Sequence, residues 1–431
     1  MNRMVALVAV ALFGITPAQV EAVKADYAYC ATQGIEARYA WMPAEDKDLI
    51  AALKYQVVAT TQQPLIDASV PQQLGTHPIW RLNLTALNWR TKDWSRVAGF
   101  KNNGYTKHEN PLFVPAGWLV NELADCREGG NAYFQFLFQG NPPKTEEEFL
   151  ARFGLSREQQ GVSRFGWVES DSGVNVTKDG ARIVEHLDGP NSEGWATYDV
   201  RKIVKGSDPL DALFPEKLKY DASEVFVLVP KVGTEGVRGV FPITGLFNGD
   251  GAVSADAPGD IVKDSTATFG HELIINNGSC VSCHNEGSKK PSINAVRERL
   301  LAGLELKTYD QQKQIEAELY HLGDVEKALL RWDEDYASAL MSVNGLTPLE
   351  NSTAYRNAIR KHLGDVTLAV AAAELSTDAE TLRLSIAWSV KNYVDVQSRV
   401  AGLAHDRSMP RNTFEDQYLK LQSYLEAFRN N

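Results

Sequence analysis

Asn277-Gly278-Ser279-Cys280-Val281-Ser282-Cys283-His284 is the stretch on which the reading of this chain turns. Two thiols stand three positions apart and an imidazole follows the second at once. At that spacing each thiol can form a thioether to one vinyl group of a haem, and the histidine can reach the iron from the proximal side. Cys280, Cys283 and His284 are therefore expected to hold one covalent haem c, with His284 as proximal iron ligand. Other uses of the pair fit less well. A thioredoxin-like dithiol opens a helix after a strand in a βαβ setting, which this Gly- and Asn-rich approach does not suggest. A zinc site wants two further ligands, and the chain has no second C-x-x-C among its four cysteines.

The sixth iron ligand separates an electron carrier from an enzyme. A thioether sulfur there raises the potential, a second imidazole lowers it, and an open position admits peroxide, oxygen or another small ligand. Met341, on an apolar helical stripe 57 residues after His284, and His321, at a helix end or turn, are the main distal candidates. His271, just before the attachment loop, and Met409, before Pro410, are weaker ones. A core methionine filling irregular space and a surface histidine are the plain alternatives for these positions. His271-Glu272 also opens like a metalloprotease motif, but Ile275 stands where the second histidine belongs. His77, His108, His186, His362 and His405 are scattered and read as structural or solvent-facing.

Outward from the motif the chain divides into three expected regions, giving a multidomain α+β protein. Residues 26–143 form a mixed N-terminal region: a helix centred on Asp46–Val58, an alternating strand over 77–84, and Trp80, Trp89, Trp94 and Trp118 as core. Residues 144–262 form a β-rich mixed region, opening on a helix whose first turn Thr145 and Glu148 serve, with strands at Arg182–His186 and Glu224–Val229. Gly-rich 231–260 contains no phosphate-binding glycine pattern. Residues 265–431 read as a mainly α-helical, cytochrome c-like haem domain with a helical extension. There Val325, Leu329, Trp332, Tyr336 and Leu340 share one helix face, and Leu330, Ala337 and Met341 line a second stripe suited to another contact. Thr377 with Glu380 is expected to cap the helix that follows.

Residues 1–22 have one early basic residue, Arg3, an apolar run from Met4 to Ile15, and small residues suited to cleavage after Ala22 or Ala25. That is the pattern of a signal peptide, implying a periplasmic or otherwise exported protein, and no later stretch is apolar enough to span a membrane. Export fits the motif, since cytochrome c maturation follows translocation. Outside the motif only Cys30 and Cys126 remain, and an oxidising compartment permits a disulfide between them. The formal charge of −11 repels phosphate backbones and excludes nucleic acid as an expected partner. With 44% apolar and 23% charged residues the chain reads as folded rather than disordered.

The haem residues resemble those of the broad c-type cytochrome group. More widely, the chain resembles a little-characterised family of long exported bacterial monohaem proteins, best known from planctomycete-like sequences. Carrying the resemblance are Trp80-Arg81-Leu82-Asn83-Leu84 with Trp89, Gly161-Val162-Ser163-Arg164, Trp195-Ala196-Thr197-Tyr198-Asp199, Asn277-Gly278-Ser279, and Ala371-Ala372-Ala373-Glu374-Leu375. Residues 182–187, Arg-Ile-Val-Glu-His-Leu, depart from its more basic run, and 231–245 diverges as well. The resemblance implies haem and export without a substrate. The function expected is single-electron transfer in the periplasm to a redox protein partner. A peroxidase-like or oxidase-like haem enzyme, and a haem-based sensor or binding module for a small ligand, are the alternatives.

Overall fold

The computed structural model describes residues 16–42, 45–61, 65–98, 112–124, 132–157, 163–167, 181–200, 220–229, 241–285, 287, 297–298, 301, 308–393 and 396–430. Helix and sheet are mixed, and the C-terminal part is helical, as the α+β expectation required. Contacts divide the chain into two compact units. The first takes the described residues of 1–57, 67–122 and 357–431, and the second those of 58–66 and 123–356. The last helices fall in the unit of the N-terminal sheet, and the Cys280–His284 motif falls in the unit of the middle strands.

In the first unit, helix α1 (Pro17–Thr32), strand β1 (Ala37–Trp41), helix α2 (Lys47–Ala59), strands β2 (Gln72–Gln73) and β3 (Ile79–Asn83), helix α3 (Thr91–Ala98), strand β4 (Phe113–Pro115) and helix α4 (Ala116–Ala124) follow in order. The sheet runs β2-β3-β1-β4, with β1 antiparallel to β3 and parallel to β4. Thr16 and Gln19 form a capping box at the start of α1, and Pro17 sits where the helix needs no amide donor. Val20, Val23 and Cys30 of α1 pack on Tyr39, Trp41, Ile79 and Phe113 of the sheet. The Asp26 carboxylate joins helix to sheet, accepting from Tyr39 Oη and Arg81 Nη1 at 2.8 Å each. Cys30 is a buried thiol 3.4 Å from Arg81 Nη1, and no disulfide forms among the described residues. Its expected partner, Cys126, lies outside them. Trp80, Trp89, Trp94 and Trp118 are all buried.

The C-terminal helices of this unit are set by their caps. Thr367 caps α10 (Leu368–Glu374), which follows four helices of the other unit and α9 (Pro348–Leu363), and Asp378 caps α11 (Ala379–Asn392) by accepting from Thr381 N at 2.8 Å. Thr377, the expected cap, instead accepts from Arg429 at 3.3 Å. Aspartate one position later wins because a charged acceptor serves the first-turn amides better than a hydroxyl. Helices α12 (Ser398–Leu403) and α13 (Arg411–Arg429) close the chain, with Phe414, Tyr418, Leu421 and Leu425 of α13 buried.

His362, on helix α9 (Pro348–Leu363), is enclosed in this unit beside Gly117, where an added Cβ would come within 2.9 Å of its Nδ1. Burial, and then the Arg411 charge, hold its pKa well below the usual histidine value. Glu415 at 3.6 Å is too distant to reverse this. The unfolded chain therefore binds a proton that the folded one excludes, and stability falls as pH drops below the ordinary histidine pKa. Denaturant midpoints of the protein should fall between pH 7.5 and pH 5.5 with a slope of up to about 1.4 kcal/mol per pH unit from this group, and His362→Phe should flatten that dependence.

The second unit is built on a six-stranded antiparallel sheet of order β10-β9-β8-β7-β6-β5: β5 (Ser163–Trp167), β6 (Ala181–Asp188), β7 (Glu193–Val200), β8 (Ala222–Leu228), β9 (Ile243–Asn248) and β10 (Val253–Ser254). Alternation along the strands sends Leu187, Ala196, Tyr198, Val225, Val227 and Phe247 to one face, where α5 (Ala132–Leu137) and α6 (Glu146–Arg152) cover them with Tyr133, Phe134, Phe149 and Phe153. Thr145 accepts from Glu148 N at 3.2 Å at the start of α6, as its sequence predicts. The opposite face carries a row of directly paired residues, His186–Trp195–Phe226–Thr244. Helix α7 (Gly278–Cys283) and helix α8 (Tyr309–Asn344) bring side chains to this row. On α8 Val325, Leu329, Trp332, Tyr336 and Leu340 are buried as expected, whereas Leu330 and Met341 of the second stripe are about half exposed.

Beneath the first face Arg157 pairs with Glu146, lies 3.8 Å from Glu185 Oε2, and covers the ring of Tyr198 with its guanidinium carbon 4.5 Å from the ring centre. Ser223 Oγ donates to Glu146 at 2.6 Å and Tyr198 Oη to Glu185 at 2.5 Å. Arg157→Ala leaves two buried carboxylates without their cation. We expect a loss of ~2–4 kcal/mol in urea denaturation, below the figure for a fully enclosed pair because part of the guanidinium still reaches solvent.

Candidate functional site

The attachment segment is placed by a short run of forced geometry. Asn277 adopts φ +64°, ψ −54°, turning the chain into α7. Thr244 Oγ1 donates to Asn276 Oδ1 at 3.1 Å, tying the turn to β9, and Ile275 N donates to Ser279 Oγ at 3.0 Å. Gly278 follows, where an added Cβ would meet Phe269 Cζ at 2.5 Å and Ala124 O at 2.6 Å. The glycine here answers a steric demand from both sides. Around this segment Leu246, Ala257, Ile261, Val262 and Ile274 form a small core of their own against β9.

One turn of helix then aligns the motif along β8. Cys280 and His284 lie four positions apart, joined by the His284 N to Cys280 O bond of 2.8 Å, and so share a side of the turn. Cys280 Sγ lies 3.6 Å from Glu224 Oε1, and the His284 ring sits 4.8 Å from that of Phe226, two residues further along the same strand face. Burial, and then the charges of Glu224 and Cys283, push the Cys280 thiol well above its usual range. That is the reverse of what a nucleophilic or zinc-binding thiolate needs. Behind Glu224, the same face holds Arg182 in a two-pronged pair with Asp199, at 2.9 and 2.8 Å.

His284 Nδ1 lies 3.1 Å from Gly287 O. A carbonyl can only accept, so Nδ1 carries the proton and the lone pair of the neutral ring is on Nε2. This second-sphere bond fixes tautomer and ring orientation in the manner of a metal-ligating histidine. Gly287 has φ +101°, and an added Cβ would stand 2.7 Å from Asp333 Oδ1 on α8, so the carbonyl that orients His284 is itself held against the long helix.

Trp332 of α8 completes the surroundings, 6.3 Å from the His284 ring and 5.7 Å from Phe226. Trp195 stacks on it at 6.5 Å with 9° between the planes, and His186 stacks on Trp195 at 4.3 Å while meeting Glu193 Oε1 at 2.7 Å. Both indole Nε1–H groups, and Glu193 Oε2, are buried without a hydrogen-bond partner. A buried donor left unmade costs about 1–3 kcal/mol.

Of the expected distal residues, Met341 and His271 are not placed to meet an iron at His284. Met341 is half exposed, nine positions from Trp332 on the same helix and so about half a turn away from the ring that faces the site. His321 falls within α8, rather than at a helix end, and its side chain lies outside the described residues. His271 receives the Leu273 amide at Nδ1, 3.2 Å, which leaves Nε2 as a protonated donor and not as a lone pair toward iron. Met409 is fully buried in the other unit and paired through its backbone with Val366. Among the described residues no group of three or more His, Cys, Asp or Glu side chains is arranged to hold a metal ion by itself. Glu224, Phe226, Trp195 and Trp332 are the site residues that sequence reasoning did not assign. The paired strand register could have shown the first three on one face had the partner strands been known.

The donor set suits a covalent haem: two thiols not joined to each other, an imidazole with its tautomer set for iron, and aromatic walls. No protein-family model, curated protein or solved structure matches the chain. The geometry at Gly278 makes a direct check: Gly278→Ala should lower stability by ~1–3 kcal/mol, read as a lower denaturation midpoint.

Proposed function

We propose that the protein is an exported c-type haem protein that transfers single electrons, with one haem joined to Cys280 and Cys283 and ligated by His284. The observation that carries this reading is the His284 Nδ1 to Gly287 O bond, which leaves Nε2 of the imidazole beside Cys280 and Cys283 as the lone-pair atom for a ligand. Haem supplies a reversible one-electron couple when bound. The chain supplies the rest. Cys280 and Cys283 anchor the ring edge, Gly287 orients the ligand, and Phe226 and Trp332 keep water from its side. Glu224 and the Arg182–Asp199 pair place charge at the anchored edge, where it bears on the potential.

Export belongs to the same proposal. Among the described residues no helix is long and apolar enough to cross a membrane. A cut after Ala22 or Ala25 falls within α1 and removes its Thr16–Gln19 capping box and Val20; a cut after Ala22 leaves Val23 in the core of the first unit, and both cuts keep Asp26, the bridge to Tyr39 and Arg81. A redox protein is the partner that this reading calls for.

Expression with working export and haem-ligation machinery should give an intact mass equal to the cleaved chain plus one haem. Cys280→Ala with Cys283→Ala should abolish covalent attachment. This reading requires a sixth ligand from outside the described residues, and with it ferric and ferrous spectra should be low-spin and unchanged by carbon monoxide. A high-spin iron that binds carbon monoxide rapidly transfers the protein to the enzyme or sensor class, and a bare polypeptide mass ends the haem reading altogether.

A further inference from the structure

We propose that Trp195 and Trp332 are the carboxylate-holding residues of the haem site, each donating its indole Nε1–H to a propionate oxygen. The inference rests on the haem reading and adds residues that lie far from the attachment motif in sequence. Three observations converge on it. The two side chains are 3% and 6% exposed, so their N–H groups are shut away from bulk water. Neither N–H has a partner, and Glu193 Oε2 beside them is also buried without one. And the two rings lie parallel, 6.5 Å apart, with Trp332 6.3 Å from the ring of the iron ligand.

A structural tryptophan gains by turning its N–H to a carbonyl or to solvent, because leaving it bare is costly; Trp80 in the first unit is a single bare case, whereas here two stand together. Two bare donors side by side next to His284 point to an acceptor brought in by a ligand. The group that two thioethers and an imidazole fix here carries two carboxylates of its own. Cations do not compete for this task in the immediate ring stack: Arg182, the charged donor of the same sheet face, is occupied in both prongs by Asp199. His186, at the end of the stack, is engaged by Glu193. Among the described residues of this stack, neutral N–H donors are what remains.

The test uses exported, haem-loaded full-length protein. Trp195→Phe, Trp332→Phe and the double variant keep an aromatic ring and delete the donor. Replacement of each tryptophan by benzothienylalanine, in which sulfur takes the place of N–H at nearly the same shape, covers the case in which phenylalanine fails to fold. Intact mass first establishes that haem is attached. With haem present, resonance Raman propionate bending modes should shift in each variant. The potential should fall, because a propionate stripped of a donor holds its negative charge more fully and favours ferric iron. We expect roughly a threefold change in the ferrous-to-ferric ratio at fixed solution potential, about 28 mV for a one-electron couple. Propionate modes and potential identical to the parent in haem-loaded variants, benzothienylalanine included, would overturn the assignment while leaving the haem reading intact. A parent protein without haem mass would remove both.

Discussion

The seat of α7 on strand β8 is the contact on which the site depends. Cys280 meets Glu224 and His284 meets Phe226, two positions apart on one strand face, so a single turn of helix lies along a single strand. That arrangement requires the chain to arrive at Gly278 with no side chain between Phe269 and the Ala124 carbonyl. It also requires Asn277 in a backbone conformation that few residues adopt, a cost the surrounding Thr244–Asn276 and Ser279–Ile275 bonds must offset. Strain of this kind is retained where the position of the following residues matters.

The six-stranded sheet serves two purposes because its strands alternate. One face is an aromatic core closed by α5 and α6, and it holds its charged residues in a saturated cluster around Arg157. The other face is different in kind. It presents aromatic rings, two indole donors without acceptors and a thiol against a carboxylate. A face whose polar groups are all paired maintains a fold, whereas one with unpaired donors beside a tautomer-fixed histidine is arranged for something else to enter. The sheet thus separates the part that gives stability from the part to which the proposed chemistry is assigned.

The proposed carrier is far larger than one-electron transfer demands, and the division into units gives that size a physical form. The attachment motif is embedded in the sheet unit, whose strands supply Glu224, Phe226 and Trp195 to its surroundings. The first unit is stabilised separately by its own core, by the Asp26 bridge and by Arg411 held on Glu374 at 2.8 and 2.9 Å. The thiol of Cys280, buried and pushed toward its neutral form, also sets this motif apart from dithiols that work as thiolates.

Local signals in the sequence were sufficient for much of this. Asp46 before α2, Thr145 with Glu148 before α6, the alternation through β3, β6 and β8, and the Val325–Leu340 stripe each act over a few residues and needed no partner to be read. Cys280, Cys283 and His284 were legible for the same reason, since their chemistry lies in their spacing. The grouping of helices into units, the Thr377 cap and the use of the Leu330–Met341 stripe were not decided locally. Which helices share a unit, which hydroxyl or carboxylate reaches an amide first, and which stripe finds a partner depend on packing between segments distant in sequence. The sequence alone determined the spacing on which the proposed attachment rests and the kinds of element. Only the tertiary structure placed Trp195 beside Trp332, and Gly287 under His284, because strand pairing and helix packing bring together residues that no local period connects.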